Sequence, residues 1–161
     1  MYRILAVVFC LLQPLRAAEP TRAATVGWLK EKLIGHGWGH IEAGVGAAYK
    51  ITDVQISNTT LTMKVYMKLI GPDAPINYTY TIPLISLSRA PSIREQASVS
   101  YLLVKTNGRK VAVRYKGGIQ GQENASEVAI GFPDQETSER FLKAFKRLAT
   151  LTSDPNTNEP F

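Results

Sequence analysis

Between Thr52 and Val65, apolar and polar residues alternate on both sides of Asn58-Thr59, and no other stretch constrains the chain as tightly. A period of two marks a strand with one buried face, and a two-residue polar turn between two such runs makes a hairpin. Pairing Ser57 with Thr60 sets Thr52, Val54 and Ile56 opposite Val65, Met63 and Leu61 on one face. The other face pairs Asp53 with Lys64 and Gln55 with Thr62, so one cross-strand pair is of opposite charge. An isolated hairpin is at best marginally stable in water, so its apolar face needs further strands or a helix.

The rest of the chain supplies both. Tyr78, Tyr80 and Ile82 alternate with Thr79 and Thr81 and stop at Pro83, which predicts a third strand. Asn107-Gly108 lies between two apolar runs and predicts a type I′ hairpin that pairs Val104 with Val111, Leu102 with Val113 and Ser100 with Tyr115. On its outer face that register sets Lys105 beside Lys110, Tyr101 beside Arg114 and Val99 beside Lys116. Ser126–Phe132 reads as another strand, and Ile85–Leu87 offers a seventh. The segments 35–47, 91–96 and 117–124 read as loops, being Gly-rich or polar.

Two helices flank the strands. Val26, Trp28, Leu29, Leu33 and Ile34 recur at helical spacing within Thr25–Ile34. From Asp134 to Leu151, Phe141, Ala144, Phe145 and Leu148 form one apolar stripe, while Arg140, Lys143, Lys146 and Arg147 lie mostly away from it. Pro133-Asp134 and the acidic Glu136 and Glu139 suit a helix start. The fold class expected is α+β. An antiparallel β-barrel or two-sheet sandwich of six to seven strands would carry a C-terminal amphipathic helix and a short N-terminal one. The globular domain is expected over residues 25–151, with a disordered polar tail at 152–161.

The first eighteen residues have a different character. Arg3 gives a positive start, Ile4–Leu12 is unbroken and apolar, and Pro14 followed by Ala17 and Ala18 supplies a break and a small-residue exit, the order of a secretory signal peptide. The run is less than half of the roughly 20 residues that a membrane-spanning helix needs, so no transmembrane segment is expected once the signal is removed. Cleavage takes away the only cysteine, Cys10. The mature domain must therefore hold together by core packing without disulfides, which points to a secreted or periplasmic bacterial protein. Arg3 and Arg16 leave with the signal, and the formal charge falls from +6 to +4. That balance, with no matching motif, does not fit a nucleic-acid binder.

Hairpin-connected antiparallel strands followed by the Asp134–Leu151 helix, with Phe141, Phe145 and Leu148 on its stripe, resemble the pleckstrin-homology-like (PH-like) barrel. The resemblance covers about residues 47–151. It implies that the terminal helix caps an open end of a two-sheet barrel. Some members of that superfold bind phosphoinositide headgroups, others bind peptides, and many exported bacterial examples have no assigned role; fold likeness alone does not choose among these.

The residues themselves point to binding rather than catalysis. The two histidines, His36 and His40, sit in Gly35-His36-Gly37-Trp38-Gly39-His40, where the alternating glycines oppose the helix that would aim both at one metal ion, and only Glu42 is close by. No serine lies in a nucleophile elbow, and 117–121 lacks the helix and Lys-Ser/Thr that a phosphate loop requires. No catalytic residue, metal or cofactor is expected. The expected function is an exported binding or interaction module. Its surface would be the basic, partly aromatic patch of Tyr101, Lys105, Lys110, Arg114 and Lys116, and its partner a protein, a glycan or an anionic lipid surface. The alternative is a small periplasmic hydrolase or metal-dependent enzyme using His36 and His40.

Overall fold

Strands β2 (Ala47–Ile56) and β3 (Thr60–Leu69) follow from the alternation around Asn58-Thr59. The computed structural model that contains them describes residues 19–36, 38–40, 47–69, 75–96, 99–108, 110–117 and 120–153. The expected signal peptide, residues 41–46 and the tail beyond residue 153 lie outside the described residues. The Ser57 amide donates to the Thr60 carbonyl at 2.9 Å, and the Ser57 hydroxyl accepts from the amides of Thr59 and Thr60, so the turn is closed by side chain as well as backbone. Asp53 faces Lys64, Val54 faces Met63, Gln55 faces Thr62 and Ile56 faces Leu61, as the pattern predicts. The register slips between Ile51 and Asp53, which corrects the expected place of Thr52. Ile51 sits opposite Val65 and is buried, whereas Thr52 is the extra residue of a bulge and is exposed. One inserted residue reverses the side-chain alternation, and here it puts isoleucine rather than threonine in the core.

β3 continues into β4 (Ile76–Pro83), whose Ile76, Tyr78, Tyr80 and Ile82 are buried as expected. Burial raises the Tyr80 and Tyr78 phenol pKa values, so both stay neutral. Ile85–Leu87 is not a strand. Leu84–Ser86 forms a single 3₁₀ turn with Ile85 turned to solvent, and Leu87 makes an isolated bridge to Thr106. The polar segment expected as a loop at 91–96 pairs as β5 (Ser92–Gln96), and the Gly-rich segment contains the short β1 (Trp38–His40).

Asn107-Gly108 does not close a hairpin. β6 (Val99–Lys105) pairs with β5 on one edge and β9 (Glu127–Phe132) on the other, while β7 (Val111–Lys116) pairs with β4 and with β8 (Gln120–Ala125). Residues 99–132 are thus one long hairpin, β6 and β7 running out and β8 and β9 back, folded over at a corner. At that corner Gly108 has φ +80°, and the Thr106 hydroxyl reaches both the Gly108 carbonyl at 2.7 Å and the Ser126 carbonyl at 2.9 Å. Asn107 donates to the Ser86 carbonyl, so the turn is also tied to the 3₁₀ segment. β8 escapes sequence detection because its residues are polar and largely exposed on both faces, as an edge strand tolerates.

Two antiparallel sheets result, in the orders β1-β9-β6-β5 and β2-β3-β4-β7-β8. The described strands number nine rather than six or seven. The two ladders keep separate edges, so the α+β expectation holds as a two-sheet arrangement without a closed barrel. Their inner faces share one core with both helices, α1 (Arg22–His36) and α2 (Gln135–Ser153). The α1 helix extends beyond the expected span at both ends, its first turn capped by the Thr21 hydroxyl accepting from the Ala24 amide. α2 lies on β5, β6 and β9 and against α1. Its apolar side places Phe141 4.5 Å from Phe132, centroid to centroid, and its one buried polar side chain, Ser138, meets the hydroxyl of Ser100, which donates to Glu95.

Two glycines give a paired test. A Cβ on Gly117 would stand 2.4 Å from the Pro75 carbonyl oxygen, a backbone atom that cannot swing aside, whereas one on Gly27, inside α1, would meet nothing within 4 Å. Gly117→Ala should destabilise the protein by about 1–3 kcal/mol, and Gly27→Ala should stabilise it by about 0.5–1 kcal/mol. Urea unfolding of the two variants checks both signs.

Candidate functional site

The polar face of a half-buried sheet is set by the same alternation that fills its core. On the five-stranded sheet the inward positions Met63, Val65, Met67, Val111 and Val113 leave Lys64, Tyr66, Lys68, Arg114 and Lys116 on the outward face. Cross-strand register then gathers them. One row runs Lys50, Tyr66, Asn77, Lys116 and Gln120 across all five strands, and the next runs Asp53, Lys64, Thr79, Arg114 and Gln122. Lys68 stands two residues along β3 from Tyr66. With strands about 4.8 Å apart and alternate residues about 6.8 Å apart, the five cations occupy a patch roughly 14 Å on a side.

Lys50, Lys64, Lys68, Arg114 and Lys116 are all exposed, and Tyr66 is half-buried between them. Asp53 is the one carboxylate in these two rows. Lys64 Nζ lies 3.0 Å from its Oδ2, and Gln55 Nε2 donates to the same oxygen at 3.0 Å. The hydrogen bond from Lys64 is the main reason that the Asp53 carboxyl titrates below the usual carboxylate range. Five positive charges and one negative leave the face with a formal surplus of four.

This geometry divides the patch expected from sequence. Tyr101 and Lys105 belong to β6 in the four-stranded sheet, opposite Gly131 and Glu127, and neither lies beside a β7 residue. Lys110 sits at the corner before β7. Arg114 and Lys116 do face outward together, but their neighbours are Thr79 and Asn77 of β4 and Gln122 and Gln120 of β8. The expected pairings of Lys105 with Lys110, Tyr101 with Arg114 and Val99 with Lys116 are therefore not formed, because β6 already has a partner on each edge. Lys50, Lys68 and Tyr66 escaped the sequence reading, and Lys64 entered it only as the partner of Asp53, although the polar face of the first hairpin carried the signal. Extending its outward alternation along β3 from Lys64 reaches Tyr66 and Lys68.

The histidines of the alternative reading lie apart from this face. His36 is the last residue of α1, and His40 ends β1 opposite Ala129 of the four-stranded sheet. Among the described residues no three His, Cys, Asp or Glu side chains are grouped as metal ligands, and no helix is long and apolar enough to cross a membrane. Comparison with family models, with curated proteins and with solved structures found no match to this chain.

The Asp53–Lys64 contact can be tested directly. With its folded pKa depressed, Asp53 stays ionised until the pH drops below its ordinary value of 3.8, and the stability that the contact contributes is present above that value and lost as pH falls through the folded pKa. In Lys64→Met the carboxyl should titrate closer to 3.8, because the largest cause of its depression is gone. Side-chain NMR titration of both proteins reads the shift, and identical titration curves would remove the contact from solution.

Proposed function

We propose that this chain is an exported, non-catalytic binding module that docks on an anionic lipid surface through the outer face of its five-stranded sheet. The observation that carries the reading is the arrangement of Lys50, Lys64, Lys68, Arg114 and Lys116 around Tyr66 in two adjacent rows, with one carboxylate among them. A sheet face spreads its cations over a plane, so they meet a planar array of anionic headgroups together, where a convex surface would meet them singly. Each Lys or Arg near such a surface contributes about 1 kcal/mol. A tyrosine among them suits the interface, since its ring takes the apolar side and its hydroxyl the wet side. Export brings such a face to an envelope surface. The fold reading that accompanies this proposal is PH-like, supported by the β2-β3-β4 meander and by a C-terminal helix laid on the second sheet.

Sedimentation with vesicles of phosphatidylcholine, with and without phosphatidylglycerol, tests the docking. The protein should bind the anionic vesicles alone and release them as salt rises. Reversing Lys50, Arg114 and Lys116 together to Glu should weaken binding on the order of 100-fold or more, at about 1 kcal/mol per charge removed. Reversing Lys105 and Arg94, which belong to the other sheet, should weaken it far less. Equal loss from both sets, or binding to a soluble anionic glycan but not to vesicles, would overturn the lipid reading.

A further inference from the structure

The polar sides of the two helices create a second feature, distinct from the sheet face. On α1, Ala24, Trp28 and Lys32 recur every four residues and line one wall; on α2, Arg140, Lys143, Ala144, Lys146, Arg147 and Thr150 recur at three- and four-residue steps and line the other. α1 is held there by Leu29 and Leu33, both fully buried, and by the Trp28 ring 4.7 Å from Phe141. Between the walls runs a groove of about 840 Å³, continued past Trp28 by a hollow of about 290 Å³. Glu19 and Pro20 line one end. Arg147 donates through Nε to the Pro20 carbonyl at 3.1 Å and pairs through Nη1 with the Glu19 carboxylate.

The charges are distributed unevenly along this groove. At the Glu19 end Arg147 is paired with that carboxylate, which leaves Lys146 as the one unmatched cation there. Around Trp28, Lys32, Arg140 and Lys143 converge from the two helices; among the described residues no carboxylate pairs with Arg140 or Lys143, and Lys32 pairs only with its chain neighbour Glu31. The floor is Trp28, Ala24, Ala144 and Pro20. A site with an apolar floor and a rim on which cations outnumber carboxylates selects a molecule that is both anionic and partly apolar. Its volume is that of a small-molecule site, about 300–1,000 Å³.

We propose that the α1–α2 groove binds a single-chain anionic amphiphile, its headgroup held by Arg140 and Lys143 beside Trp28 and its hydrocarbon chain lying along Ala144 and Ala24 toward Pro20. The orientation follows from the unmatched cations, since Arg140 and Lys143 stand together beside Trp28 whereas Lys146 is alone at the end where Glu19 pairs with Arg147. Neither a bare anion nor a neutral alkyl chain uses both halves of the site.

The full mature chain titrated with monomeric dodecyl phosphate, followed by tryptophan fluorescence and by calorimetry, tests this. Binding should saturate at one molecule per chain. The fluorescence change should vanish in Trp28→Phe, which leaves Trp38 as the only tryptophan. Dodecanol and inorganic phosphate should each bind at least tenfold more weakly. Replacing Arg140 and Lys143 together with Gln, both on the exposed side of α2, should weaken dodecyl phosphate about tenfold or more by removing charge-assisted hydrogen bonds, without changing the far-ultraviolet circular dichroism. Ala144→Phe should fill the trough and abolish binding. The Lys50, Arg114 and Lys116 reversal should leave this binding intact, which separates the groove from vesicle docking. Equal affinity for inorganic phosphate and dodecyl phosphate, or unchanged binding in both the Arg140/Lys143 and the Ala144 variants, would overturn the proposal while leaving the sheet-face reading standing.

Discussion

β6 has a hydrogen-bonded neighbour on each edge, and that occupancy decides the course of the chain after it. With β5 on one side and β9 on the other, no edge is left for β7, so the backbone at Asn107-Gly108 turns a corner and enters the other sheet. The Thr106 hydroxyl, bonded to the Gly108 and Ser126 carbonyls, spans the inside of that corner and holds the outgoing and returning strands together. A single long hairpin thereby contributes strands to both sheets. It couples them more directly than side-chain packing alone, because the covalent chain and the backbone ladder pass through the same bend.

The location of the basic face depends on this corner. Had β7 folded back on β6, Arg114 would lie against Tyr101 and remain apart from the lysines of β2 and β3. Pairing with β4 instead places Arg114 opposite Thr79 and Lys116 opposite Asn77, in the rows that already hold Lys64 and Lys50. A pairing set by backbone hydrogen bonds thus determines which side chains share a surface, with no interaction needed between the cations themselves.

What could be read in advance follows the range of the interactions. The β2–β3 turn is closed by Ser57, Thr59 and Thr60 within a few residues, and its register was legible down to the Asp53–Lys64 pair. α2 was legible for the same reason: its cap, Asp134 accepting from the Thr137 amide at 2.7 Å, and its Phe141, Phe145 and Leu148 stripe are local. Asn107-Gly108 carried an equally strong local signal, and Gly108 does adopt the positive φ that the signal implies. The turn residues specify a sharp change of direction, but β5 and β9, which lie outside the turn on either side of it in sequence, decide what that change connects. β8 and β5 were invisible because an edge strand is held by backbone pairing and needs no apolar alternation of its own. The groove between the helices was illegible for a further reason: each wall is an ordinary polar helix face, and the two are set side by side by tertiary packing, that of Leu29 and Leu33 in the core and of Trp28 on Phe141.

A face with a surplus of four positive charges has to avoid destabilising the sheet that carries it. Lys50 and Lys116 share a row but stand three strand spacings apart, about 14 Å, with Tyr66 and Asn77 between them. That exceeds the screening length of about 8 Å at physiological ionic strength. Lys64 and Arg114 are two strands apart across Thr79, with Asp53 compensating Lys64 at 3.0 Å, and the nearest pair is Arg114 and Lys116, alternate residues of β7 about 6.8 Å apart. Repulsion within the patch is therefore confined to near neighbours such as Arg114 and Lys116, which are exposed to water that weakens it. An anionic surface of the kind proposed would meet several of these cations together and exclude much of the salt between them, so its attraction would be screened less than the repulsion it offsets. The spacing imposed by the strands thus limits the cost of the patch to the free protein without limiting the charge it could present to such a surface.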